Sequence, residues 1–92
     1  MGSVGADIVV RGYVQGVGFR YFCQTRATRL QLTGWVRNLP DSSVELMVEG
    51  DRGGIETLIE ELKVGPRSAS VADVRVQWKP FTGKYHSFSI TG

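Results

Sequence analysis

The sequence predicts an α+β domain in which two helices cover one face of an antiparallel sheet of four to five strands. Ninety-two residues with 41% hydrophobic content suit one compact domain, residues 1–92, with no room for a second. Two segments carry apolar residues at helical spacing, and four or five short segments alternate or run rich in Ile and Val. Their order is strand, helix, strand, strand, helix, strand, plus a short last strand. That order is the split βαβ or ferredoxin-like pattern.

Residues 1–5 are expected to be a flexible lead-in. From Ala6 to Tyr13 the chain is rich in Ile and Val, which suits a strand with a buried face. Gly12, Gly16 and Gly18 then punctuate a loop. Between about Phe19 and Leu32, the residues Phe19, Phe22, Cys23, Ala27 and Leu30 form one apolar stripe, predicting the first helix. Thr33 to Asn38 is extended, and Leu39 to Ser43 supplies Pro and Asp for a turn. Val44, Leu46 and Val48 then alternate with Glu45, Met47 and Glu49, completing a hairpin. In the second helix Ile55, Leu58, Ile59 and Leu62 fall at i, i+3, i+4 and i+7, with Asp51 as candidate cap and Gly65-Pro66 as the stop. Val74, Val76 and Trp78 alternate with polar neighbours, as do Phe88 and Ile90, and both segments read as strands.

In this topology the first and second strands run the same way with the third between them. Their C-terminal ends share one edge. The loop Gln15 to Arg20 and Asn38, distant in sequence, therefore meet in space.

Eleven Lys and Arg against nine acids leave a net charge of +2, too small an excess to indicate nucleic acid. The arginines Arg11, Arg20, Arg26, Arg29 and Arg37 do gather in the first half, where they can attract a small anion. One cysteine, Cys23, cannot form an internal disulfide, and a structural zinc site needs more ligands than this chain offers. A reducing cytoplasm is the expected compartment. No stretch of eighteen apolar residues predicts a membrane span. Trp35, Trp78 and Phe88 are expected to pack rather than bind. Cys23 falls on the apolar stripe and His86 stands alone in a polar stretch, so neither is expected to be catalytic.

The run Val14 to Arg20, VQGVGFR, leads from a strand into a helix N-terminus. Successive N–H groups in such a loop can converge on an anion, and the first helical turn adds unsatisfied donors and partial positive charge. Arg20 brings a planar fork of donors that matches two phosphate oxygens. The plainer alternative is a simple turn beside a solvated arginine. Two nucleotide motifs fail: the run lacks the third glycine of a dinucleotide fingerprint, and no Gly-Lys-Ser or Gly-Lys-Thr exists for a P-loop.

Taken together, GYVQGVGFR at Gly12 to Arg20, GWVRN at Gly34 to Asn38, Val44-Glu45, and GPRSASV at Gly65 to Val71 resemble the acylphosphatase family over nearly the whole chain. The resemblance implies a metal-independent hydrolase, without cofactor, that cleaves acyl phosphates to carboxylate and inorganic phosphate. By position it makes Arg20 the phosphate-binding arginine and Asn38 the water-orienting asparagine. It gives the phosphate-cradling amides to Gln15, Gly16, Val17, Gly18 and Phe19. Inorganic phosphate is then both product and inhibitor, and a monomer with no nucleic-acid or membrane partner is expected. The family has glycine after the hairpin aspartate where this chain reads Asp41-Ser42-Ser43, which bears on the turn geometry.

No strong nucleophile or base is evident, and acyl phosphates need none, since a carboxylate leaves with little proton donation. Two rivals remain. An RNA-recognition module shares the element order, but its third strand carries aromatics where this chain has VELMVE. An acylphosphatase-like domain also serves carbamoyl phosphate chemistry in hydrogenase-maturation carbamoyltransferases, which are far longer and carry zinc-binding cysteines; a free-standing hydrolase is expected.

Overall fold

In the computed structural model, which describes residues 2–92, the elements follow the predicted order. They are β1 (Ser3–Tyr13), α1 (Phe19–Arg29), β2 (Thr33–Asn38), β3 (Val44–Asp51), α2 (Arg52–Val64), β4 (Ser70–Pro80) and β5 (Phe88–Ile90). One sheet takes the order β4-β1-β3-β2-β5. Ala6, Ile8 and Val10 of β1 and Val44, Leu46 and Val48 of β3 are fully buried, as period-two alternation requires when one face is covered. Phe19, Cys23 and Ala27 of α1 and Ile55, Leu58 and Leu62 of α2 join them in one core. Each buried Val, Leu, Ile or Phe side chain contributes about 1.5–3 kcal/mol, and truncating Leu58 to Ala would cost about 2–5 kcal/mol.

Capping fixes the helix ends. The Asp51 carboxylate accepts the Gly53 N–H at 3.0 Å, and Gly65 closes α2 with φ 71°. Helix α1 stops at Arg29, short of Leu32, because Leu32 N–H donates to Ala27 and Gln31 N–H to Thr28, with Gln31 left-handed at φ 61°. Those paired bonds satisfy the last carbonyls and drop Leu32 into the core.

Two expectations need correction. Ser3, Val4 and Gly5, expected as part of a flexible lead-in, pair with Asp51, Gly50 and Glu49; Met1 lies outside the described residues. The sheet is mixed rather than antiparallel, because β5 pairs parallel with β2. Strand β4 lies at one edge of the sheet and β5 at the other, so residues 81–87 cross its width before the chain turns back. Glu49 anchors this crossing. Fully buried, it accepts the Thr82 hydroxyl at 2.7 Å and the N–H groups of Thr82 and Gly83 at 3.1 and 2.9 Å. Strand β5 then runs toward the edge where β1 and β2 end, and delivers Ile90 there.

Candidate active site

The loop between β1 and α1 is pinned at both ends by apolar anchors, since Val14 and Phe19 are 1% exposed. Between them Gly16 and Gly18 take φ 74° and 78°, where a β-carbon would meet no atom within 4 Å. The need for glycine is conformational rather than spatial. Left-handed residues at alternate positions turn neighbouring N–H groups toward one side. Gly18 is also the N-cap of α1 and offers no side-chain cap. Among the described residues, the N–H groups of Gln15, Gly16, Val17 and Gly18 donate to no protein acceptor.

A cavity of about 180 Å³ opens against this loop. Val14, Gly16, Gly18, Phe19, Arg20 and Tyr21 line it from the loop and α1, Asn38 from β2, and Ile90 from β5. The loop and Asn38 therefore meet at the shared strand edge. Arg20 has no ion-pair partner among the described residues, whereas Arg26, Arg37, Arg52 and Arg75 are each paired. The Asn38 amide oxygen is buried and likewise has no hydrogen-bond partner. A buried acceptor left unmade costs about 1–3 kcal/mol, and such groups in native proteins call for an explanation.

Gln15 and Val17, expected among the cradling residues, do not line the cavity. Val17 packs against the core. The Gln15 side chain instead donates through Nε2 to the carbonyls of Leu39 at 2.9 Å and Ser43 at 2.8 Å, tying the loop to the turn beside Asn38. A glutamine between Val14 and Gly16 gives no local sign of this long-range contact. Ser42 sits in that turn at φ 78°, so the serine takes a left-handed geometry that glycine adopts more readily. The Asp41 carboxylate supports it by accepting the Ser43 N–H at 3.0 Å.

The remaining candidates lie outside the cavity. Cys23 is fully buried, and burial pushes its thiol pKa upward, away from the reactive thiolate. Arg37 points to the opposite sheet face, where it pairs with Glu45 at 2.9 Å and stacks over Trp35. Phe88 and Trp78 pack with the helix-side core. On the Arg37 face of the sheet Trp35 lies beside Met47 and Asp7 with the Arg37 guanidinium over its ring, which is not the open aromatic platform an RNA-binding sheet uses. Among the described residues no three His, Cys, Asp or Glu side chains gather where they could hold a metal ion, and no helix is long and apolar enough to cross a membrane.

Residues 6–90 match the acylphosphatase family model. The chain is 42% identical over 90 residues to an acylphosphatase of Pelotomaculum thermopropionicum, covering 98% of both chains. It is 52% identical over 73 residues to one of Bifidobacterium longum, covering 79% of this chain and 75% of the relative. The crystal structure of acylphosphatase from Bacillus subtilis superposes with a TM-score of 0.93 at 38% identity, covering 97% of this chain and 99% of that one.

Proposed function

The chain belongs to the acylphosphatase family and hydrolyses acyl phosphates to carboxylate and phosphate, and from that premise we propose how its own residues divide the work. Arg20 and those amides of the Gln15 to Phe19 loop that face the cavity hold the phosphate. Asn38 holds the attacking water. The observation that carries this division is the buried, unpartnered Asn38 oxygen on the same cavity as Arg20 and the glycine loop.

In phosphoryl transfer, charge spreads over the equatorial oxygens while nucleophile and leaving group stand in line. Preorganised N–H groups and a guanidinium fork match that charge, and removing one such donor costs about 10²–10³ in rate. Asn38 Oδ1 accepts a hydrogen bond from the water and so turns the water's lone pair toward phosphorus. Orientation of this kind supplies much of the barrier reduction when no strong nucleophile is present. The departing carboxylate needs little protonation, and the water's proton passes to a phosphate oxygen. Arg20 and the amides supply the positive charge that a metal ion supplies in other phosphoryl-transfer sites.

Supporting the wider reading, a single buried free thiol suits a reducing compartment such as the cytoplasm. We read residues 1–92 as one domain acting as a monomer on small acyl phosphates, with no nucleic-acid partner. The direct test is to incubate the protein with benzoyl phosphate or acetyl phosphate and follow carboxylate release with and without chelator. Turnover unchanged by chelator, with competitive inhibition by inorganic phosphate, is expected. Activity lost in chelator and restored by Mg²⁺ or Zn²⁺ would refute the mechanism.

A further inference from the structure

We propose that Tyr21 and Ile90 form an apolar rim that holds the organic half of the substrate, so that aromatic or branched apolar acyl phosphates are favoured over short ones. The proposal rests on the reading that Arg20 and the glycine loop hold the phosphate half.

Single exposed apolar side chains are ordinary on a protein surface. A pair left in water on the wall of one cavity, beside an anion-binding loop, is less so. Tyr21 is 70% exposed and Ile90 39%, and both line the cavity that contains Arg20 and Asn38. They arrive from elements far apart in sequence. Tyr21 stands in the first turn of α1 next to Arg20, and Ile90 ends β5.

The topology explains their meeting. Ile90 is in register with Val36, two residues before Asn38, because β5 runs parallel to β2 toward the site edge. Phe88 buries the start of β5 at 5% exposure, which fixes the strand, while Ile90 remains at the mouth. The chemistry of the wall is one-sided. Apart from Arg20 and the Asn38 amide, the lining consists of Val14, Phe19, Tyr21, Ile90 and glycine. No carboxylate or ammonium group faces the cavity to recognise a charge on the acyl group. A ligand that places its phosphate on the loop and Arg20 therefore meets a phenol ring and a branched aliphatic chain with its other end.

Contact with the acyl group is made in the ground state and the transition state alike, so it acts on KM more than on kcat. The test compares benzoyl phosphate and acetyl phosphate on the unaltered protein, the double variant Tyr21→Ser with Ile90→Ser, and Tyr21→Phe. In the double variant the benzoyl-to-acetyl ratio of kcat/KM should fall about tenfold, the loss expected for ~55 Å² of apolar contact, mainly through KM. Tyr21→Phe keeps the ring and should keep the ratio. The inhibition constant of inorganic phosphate, which occupies only the loop end, reports that the anion site is intact. An unchanged ratio in the double variant would overturn the rim. So would a fall shared by both substrates together with weakened phosphate inhibition, since the rim would then be supporting the loop. If the unaltered protein hydrolyses neither substrate, the catalytic reading fails and the rim falls with it.

Discussion

Replacing Gln15 with Ala removes the two hydrogen bonds that join the β1–α1 loop to the β2–β3 turn, at 2.9 Å to Leu39 O and 2.8 Å to Ser43 O. Neither carbonyl is orphaned. Ser43 O still accepts the Leu39 N–H at 2.8 Å and Leu39 O the Ser42 N–H at 3.2 Å. The cost is therefore the net value of two neutral hydrogen bonds, about 0.5–1.5 kcal/mol each, or roughly 2 kcal/mol together, rather than a desolvation penalty. Asn38 adjoins Leu39, so a loosened turn also displaces the amide proposed to hold the water. A 1 Å misplacement can cost 10²-fold, and a roughly tenfold or greater fall in kcat is expected, with the phosphate inhibition constant little changed. Urea unfolding measures the first effect and steady-state kinetics the second. Gln15→Glu serves as a near-isosteric control. Its carboxylate would face two carbonyl oxygens with nothing to donate, and should cost more than Ala at neutral pH. Full kcat in Gln15→Ala, or Glu as stable as Gln, would refute the bracing role.

Ser42→Gly should stabilise the fold by about 0.5–1 kcal/mol in urea unfolding. Relief of a left-handed residue, about 1–2 kcal/mol, exceeds the added freedom of glycine in the unfolded chain, about 0.4–1 kcal/mol. For Glu49, burial pushes the pKa up, but hydrogen bonds from the Thr82 hydroxyl and the Gly83 and Thr82 N–H groups, with Lys84 nearby, outweigh it and hold the carboxyl below its ordinary value. A depressed acid stabilises the fold above its unfolded pKa, and the contribution is lost as pH falls through the folded one. Glu49→Gln should thus be about 1–2 kcal/mol less stable at pH 7, with the gap to the unaltered protein closing on acidification; a gap independent of pH would contradict this.

Where the determinants are local, the sequence carries the structure almost residue by residue. Helix α2 begins after Asp51 and ends at Gly65, and β2 spans Thr33–Asn38 as the pattern implies. Misjudged boundaries have non-local causes. Ser3 to Gly5 lack a strand composition and are held by pairing with β3. The parallel pairing of β5 depends on a crossing anchored by Glu49 from another strand. The end of α1 depends on a left-handed Gln31, which composition does not announce. At the site, Arg20, Asn38, Gly16, Gly18 and Phe19 line one cavity as their spacing and the family resemblance imply. Gln15 is expected there for its backbone, yet its side chain makes the visible contacts. Tyr21 and Ile90 carry no motif, because a rim exists only once α1 and β5 are brought together.

The division of labour between Arg20 and Asn38 is tested most directly by urea unfolding of Arg20→Gln and Asn38→Ala with and without inorganic phosphate, alongside their turnover. A ligand at 100 times its Kd protects the native state by about 2.7 kcal/mol. Arg20→Gln loses a charge-assisted contact worth about 1.5–3 kcal/mol, so it should lose most phosphate protection as well as detectable turnover. Asn38→Ala should keep that protection while kcat falls roughly 10²-fold or more. Full activity in Asn38→Ala, or loss of phosphate protection as complete as in Arg20→Gln while the protein stays folded, would contradict the account.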